Sequence, residues 1–328
     1  AGMDVVSQGE YRRAKAADPT RLVEDNSPCR YDHVETDINT WHFYINGYRQ
    51  VRDHIREVVD GTFAGSRFNY TGGNGQTGAP LMNSECGMVW GVDGSAGDSD
   101  IAWQYRYMLN EFRLHGNING FIFTEFHDVV NEFNGYYRID DRDKDFGFGD
   151  FCRGMGVKDL HAQDFLALDC PPCQTVDAGA RLEIPCALSS FTRAHAEKGL
   201  TVEWELWHDG LDGRVSDEKG AFAIAGYALG TNPLSPIALK MPAENAVAVL
   251  SVYLKSGDEV VSRNFTTFDV RAALPADVIE IPVASGASEG FSPRWTAIQD
   301  EKLCLGGAGE VSFEIPVDGE PGDIEIGR

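Results

Sequence analysis

Positive charge is what this sequence has least of: 28 Lys and Arg stand against 51 Asp and Glu in 328 residues, a formal net charge of −23 at pH 7. A surface of that sign repels polyphosphate and anionic lipid, which excludes nucleic acid and membrane surfaces as partners. No apolar run approaches the ~20 residues that a spanning helix needs. Cysteine is sparse and irregular, seven residues at 29, 86, 152, 170, 173, 186 and 304. An odd number at such spacing builds no disulfide framework. Cys170-Pro-Pro-Cys173 has C-x-x-C spacing but no second pair for zinc and no strand–helix context for a redox motif, and it is read as an interdomain linker.

The usual short motifs are missing too. Gly73–Gly78, GNGQTG, matches G-x-G-x-x-G literally but precedes a strand instead of opening a helix, so it is a loop and no dinucleotide site. Asp141, Asp143 and Asp145 fall short of an EF-hand because Phe146 and Cys152 occupy its Gly and Glu positions. His33, His42, His115 and His127 show no metal-ligand spacing, and no G-x-S-x-G elbow exists for a serine nucleophile. No metal and no cofactor are expected. Asn69 and Asn264 stand in N-x-T sequons, relevant only to a secreted eukaryotic protein. The compartment is not legible.

What is present is an ordinary globular composition, 42% hydrophobic and 24% charged, in a chain long enough for two or three domains. Asp4–Ala17 reads as a helix stopped at Asp18-Pro19, Arg21–Glu24 as a short strand, Asp37–Tyr44 as a second strand and Tyr48–Val59 as a helix with Val51, Ile55, Val58 and Val59 on one face. Pro80–Gly87, PLMNSECG, reads as a buried strand that ends in the carboxylate of Glu85 and breaks on Gly87. Ile101–His115 is a helix striped by Trp103, Tyr107, Met108 and Phe112, and Asn119–Thr124 an apolar strand running into Glu125. Strands alternating with helices, apolar on both faces, predict a covered parallel sheet of four strands. Nothing downstream closes it, so the C-terminal half of a (β/α)8 barrel over 1–162 fits best, its first half expected before Ala1.

The texture then turns to all-β. DFLALD, ARLEIPCAL, LTVEWELW, FAIAGYAL, VAVLSVYL and VVSRNFTTFDV, with turn signals between them, predict an immunoglobulin-like sandwich over 163–272. Residues 273–328 read as the start of a further, jelly-roll-like β-domain.

These pieces together resemble glycoside hydrolase family 2, the β-galactosidases, β-glucuronidases and β-mannosidases. The residues that carry the resemblance are Asp18–Ser27 (DPTRLVEDNS), the strand DINTWHFY, PLMNSECG and Gly120–Gly147 (GFIFTEFHDVVNEFNGYYRIDDRDKDFG), within a likeness covering residues 1 to about 270. The resemblance implies a retaining exo-β-glycosidase acting on a carbohydrate, a β-linked glycoside, with Glu85 as nucleophile. Tyr44 matches the Tyr that hydrogen-bonds the nucleophile, His42 occupies a sugar-facing position, and Asn83, two residues before Glu85, shares its face and is a candidate substrate contact. Glu125 is either a hydroxyl-binding carboxylate, the favoured reading, or an ion-paired structural residue, and it is the rival nucleophile. Asp128 and Glu132 are candidate subsite residues, with solvated loop carboxylates the favoured reading.

The family's acid/base Glu belongs to an Asn-Glu pair upstream of DPTRLV, before Ala1, and Glu10 lies inside a helix and does not replace it. The chain is therefore expected to be a fragment with one of two catalytic carboxyls. No Asn-x-Lys follows the last strand, where Asn134-Gly-Tyr136 stands, which disfavours a glucuronidase and leaves β-galactosidase favoured. The resemblance also implies a galactose-binding-like final domain and leaves a homo-oligomer open. Two other readings stand beside it. One is a non-catalytic carbohydrate-binding or scaffold protein, suggested by Glu125-Phe126 where a Trp platform is usual and by Cys86 where an aromatic is common. The other, an independent α/β enzyme, lacks a nucleophile or cofactor motif.

Overall fold

Val51, Ile55 and Val58 recur at helical spacing, and in the computed structural model all three are buried on one face of a helix, Tyr48–Gly61. The structure describes residues 3–26, 32–45, 47–87, 101–130, 134–144, 146–210, 212–273, 287–289, 297–299, 302–304 and 310–314. In chain order its first elements are helix α1 (Met3–Ala17), strand β1 (Asn39–Tyr44), α2 (Tyr48–Gly61), β2 (Leu81–Gly87), α3 (Ile101–Arg113) and β3 (Ile118–Phe123). The strands form one parallel sheet in the order β1-β2-β3.

The strand expected at Arg21–Glu24 does not form. Asp37 takes the partner's role: its carboxylate accepts from Val23 N at 2.9 Å, and its own N–H donates to the Val23 carbonyl at 2.9 Å. A side chain thus satisfies backbone that a ladder would have paired. The sheet accordingly has three strands among the described residues, not the four expected.

Helices α2 and α3 cover one face of this sheet. Val51 and Ile55 meet Met108, Leu109 and Phe112 of α3, over Trp41, Leu81 and Phe123 of the strands. Each such buried side chain contributes about 1.5–3 kcal/mol. The same apolar cluster continues into Phe165, Trp207, Val249 and Phe265 further along the chain.

Two short helices follow, α4 (Phe148–Phe151) and α5 (Val157–Leu160), and then strands only: β4 (Asp164–Leu168), β5 (Cys173–Asp177), β6 (Arg181–Ile184), β7 (Cys186–Ser190), β8 (Leu200–Gly210), β9 (Gly213–Ile224), β10 (Gly230–Pro233), β11 (Ile237–Lys240), β12 (Ala246–Ser256) and β13 (Glu259–Arg271). A five-stranded sheet β5-β13-β12-β8-β9 faces a three-stranded sheet β10-β7-β4 and a pair β11-β6. Val202, Leu250 and Phe268 of the first meet Leu166, Leu188, Ile184 and Leu239 of the others. The segment ARLEIPCAL, read as one strand, is two: Pro185 has no N–H to give a ladder, and the chain passes there from β6 in one sheet to β7 in another. FAIAGYAL likewise ends its strand at Ile224.

Both sequon asparagines are buried. Asn264 bonds Asn110 and Leu166, and Asn69 adopts φ 66° with its side chain toward Asn39 and Thr40. The folded chain presents neither to a glycosyltransferase. Among the described residues no helix is long and apolar enough to cross a membrane.

The loop between α1 and β1 is organised by a buried Asp25–His33 pair, 2.7 Å apart, with the other Asp25 oxygen accepting from Val34 N and Glu35 N at 2.7 and 3.1 Å. Burial pushes the Asp25 carboxyl up, but the His33 ring and the two N–H donors outweigh it and hold it below its ordinary value. A carboxyl depressed in the folded state contributes stability that is complete above its unfolded pKa and is lost as pH falls through the folded one. Asp25→Asn is therefore expected to cost most near neutral pH and progressively less below about pH 4, read from urea unfolding midpoints across that range.

Candidate functional site

β1 and β2 run side by side with their C-terminal ends together, and their pairing carries an irregularity. Trp41 lies opposite Asn83 but His42 lies opposite Glu85, so β2 spends one residue more than β1 and Ser84 is a bulge. The extra residue changes the phase of the strand. Leu81 and Asn83 are buried before it and Cys86 after it, which leaves Ser84 and Glu85 both turned to the ring of His42. Strict alternation would have put Asn83 and Glu85 on one face.

Glu85 is hydrogen-bonded at one oxygen and faces an imidazole nitrogen at the other. The Tyr44 hydroxyl donates to Oε1, and His42 Nδ1 lies 3.5 Å from Oε2. The His42 side chain is 9% exposed and that of Glu85 36%, so the carboxylate is held from behind and open in front. Ser84 Oγ lies 2.9 Å from His42 Nε2 and donates to Glu24 Oε1 at 3.2 Å; the Thr40 hydroxyl donates to the same Glu24 oxygen. Cys86 next door is an inert thiol: full burial, then the Glu85 charge, push it well above its ordinary value, and its Sγ meets the Ile122 carbonyl.

Of the residues singled out from the sequence, the structure brings Glu85, His42 and Tyr44 together: the Tyr44 hydroxyl hydrogen-bonds Glu85, and the His42 ring stands 3.5 Å from its other oxygen. Asn83 is not among them. Its side chain is fully buried and its amide donates to the Trp41 carbonyl at 2.8 Å, bracing β1 against β2. Glu125 lies two residues beyond β3, after a cis Thr124–Glu125 peptide, with its carbonyl accepting from Tyr136 N at 3.1 Å. It shares the C-terminal end of the sheet with Glu85, since Thr124 N donates to the Cys86 carbonyl at 2.8 Å. Gly87 permits this closeness: a Cβ there would stand 2.6 Å from the Thr124 carbonyl oxygen.

Asp128 is not the solvated loop residue expected. It is 2% exposed, pairs with Lys144 at 2.6 Å and accepts from Gly135 N, which fastens the loop after β3. Glu132 and Asp145 lie outside the described residues. A cavity of about 690 Å³ opens beside Phe126, Tyr137, Phe146 and Lys158, and neither Glu85, His42 nor Tyr44 lines it. Sequence reasoning missed Ser84 and Glu24: both stand inside segments that carry the resemblance, but neither has a role of its own there, and only the bulge brings Ser84 under His42.

No protein-family model matches the chain, and no curated protein matches it. Solved structures similar to it include two β-glucuronidases of Bacteroides uniformis that cover most of the chain. One is 13% identical over 81% of this chain and 30% of its own, at a TM-score of 0.32. The other, covalently bound to cyclophellitol-6-carboxylate aziridine, is 14% identical over 92% of this chain and 35% of its own, at 0.33. A superoxide reductase (neelaredoxin) from Ignicoccus hospitalis is similar to a smaller part: 16% identical over 39% of this chain and all of its own, at 0.25. The chain spans about a third of the length of the β-glucuronidases, and none of these TM-scores reaches the level of a shared fold.

Proposed function

We propose that the chain carries the nucleophile of a retaining β-glycosidase of the glycoside hydrolase family 2 type, with Glu85 attacking the anomeric carbon and a β-galactoside as the favoured substrate. One observation carries the reading. Glu85 stands at the end of a parallel strand with a tyrosine hydroxyl on one oxygen, an imidazole on the other and an open front. A carboxylate so held is oriented for attack with its front free, which formation of a glycosyl-enzyme intermediate requires. Tyr44 is the orienting donor, His42 faces the second oxygen and lies where a sugar hydroxyl would pass, and Glu125 is a hydroxyl-binding carboxylate at the same sheet end. Asn83 acts only through the β1–β2 pairing.

On this reading, residues 1–162 belong to the C-terminal half of a (β/α)8 barrel, supported by the parallel order β1-β2-β3 with α2 and α3 on one face. Residues 163–272 form an immunoglobulin-like sandwich, supported by the two facing sheets; the galactose-binding-like domain expected over 273–328 falls mostly outside the described residues. Retaining hydrolysis also needs a second carboxyl ~5–5.5 Å from the first to protonate the leaving group. That role is assigned to no residue between Ala1 and Arg328.

The test avoids the need for it. A 2-deoxy-2-fluoro-β-glycosyl fluoride carries a leaving group that departs without general acid, so the full chain is incubated with the galactosyl and glucuronyl probes and analysed by intact mass and peptide mapping. One fluoro-sugar on Glu85 is the expected result, from the galactosyl probe. A label on Glu125 would exchange the two roles, and a chain that binds β-galactosides without taking up label would be a carbohydrate-binding protein.

A further inference from the structure

The hydrogen bonds behind Glu85 can be counted proton by proton. Glu24 Oε1 is an acceptor and receives both the Thr40 and the Ser84 hydroxyls. A serine hydroxyl has a single proton to give. With that proton committed to Glu24, Ser84 Oγ can only accept from His42 Nε2, 2.9 Å away. Nε2 therefore carries a proton whatever the charge of the ring. Nδ1 is left as the nitrogen that faces Glu85 Oε2 at 3.5 Å and the one at which a proton can come and go.

We propose that Glu24 is a positioning residue for Glu85: through Ser84 it pins the proton of His42 to Nε2 and so presents Nδ1 to the Glu85 carboxylate. Its bearing on catalysis rests on the glycosidase reading above; the proton arrangement itself does not. The relay crosses three parts of the chain. Glu24 comes from the loop after α1, His42 from β1, and Ser84 and Glu85 from β2, and the bulge at Ser84 alone makes the crossing possible. Without Glu24 the Ser84 hydroxyl is free to turn and donate to Nε2. The ring proton then moves to Nδ1, where Glu85 accepts it, and the two ring nitrogens exchange roles.

The tautomer of a histidine is read directly from long-range proton–nitrogen correlations in a protein labelled with ¹⁵N-histidine. The full chain is used without any glycoside, at a pH where the ring is neutral, and the His42 signals are assigned by their loss in His42→Asn. The expected result is protonated Nε2 and bare Nδ1 in the unaltered chain, with the two nitrogen shifts exchanged in Glu24→Ala. Ser84→Ala, which leaves Nε2 without its acceptor, should show the same exchange, and Ser84→Thr, which restores a hydroxyl, should not. Should Glu24→Ala fail to fold, the Ser84→Ala and Ser84→Thr pair decides alone. Protonated Nδ1 in the unaltered chain overturns the proposal, and so does protonated Nε2 that survives both alanine variants. A chain that takes up no fluoro-sugar yet shows the exchange would retire the glycosidase reading and leave the relay standing.

Discussion

Glu85→Ala is expected to take up no fluoro-sugar, and to turn over an activated β-glycoside only when azide supplies the missing nucleophile. The product would then be the α-glycosyl azide, because an external anion enters from the face that Glu85 vacates and a single displacement inverts the anomeric centre. Removal of a covalent nucleophile costs on the order of 10⁴-fold or more in turnover. The reading to make is therefore the anomeric configuration of the product, by NMR, against a control of Glu125→Ala. Retention in the unaltered chain and inversion with azide in Glu85→Ala together require Glu85 to be the attacking group. Inversion by Glu125→Ala instead would assign the attack to Glu125. The side chain of Glu85 is more than a third exposed and contributes no core packing, so loss of fold does not confound the comparison.

The second large effect concerns stability and the join between the helical layer and the sheets. Asn264 on β13 is fully buried and makes four bonds. Its amide donates to Asn110 Oδ1 and the Leu166 carbonyl, both at 3.0 Å, and its oxygen accepts from Arg106 Nη1 at 3.1 Å and Phe265 N at 2.9 Å. Arg106 on α3 is 2% exposed, stacked 4.5 Å over the Phe265 ring, and burial lowers its guanidinium to about 10. Asn264→Ala strips a buried cation of its amide acceptor and leaves Asn110 and the Leu166 carbonyl each a bond short. The expected loss is ~3–5 kcal/mol, the scale of a buried charge deprived of its partner. Urea unfolding measures it. Asn264→Asp, which keeps an acceptor toward Arg106 but loses both donated bonds, should lose less.

Several of these features can be read from residue order. Val51, Ile55 and Val58, and Met108 with Phe112, repeat at a helical period, and burial follows that period with little influence from the rest of the chain. Gly87 after Glu85 marks a strand end for a reason visible only in part, since the carbonyl that needs the missing Cβ belongs to Thr124, thirty-seven residues further on. Arg21–Glu24 reads as a strand, but its backbone is claimed by the Asp37 side chain, and nothing local announces that. Asp128 reads as a loop carboxylate in water, and its burial depends on Lys144 coming back across the loop. In each case the missed fact is a contact between residues distant in the chain.

The same division runs through the site. Apolar spacing and the breaks at Gly and Pro are local properties, and from them the sequence by itself determined where α2, α3, β1, β2 and β3 lie and that His42 and Tyr44 fall on one side of β1. Which way Glu85 points was decided only by the tertiary structure. A strand's facing depends on its pairing with its neighbour, and one extra residue at Ser84, set by the register against β1, turns Glu85 away from the core and onto His42 and Tyr44.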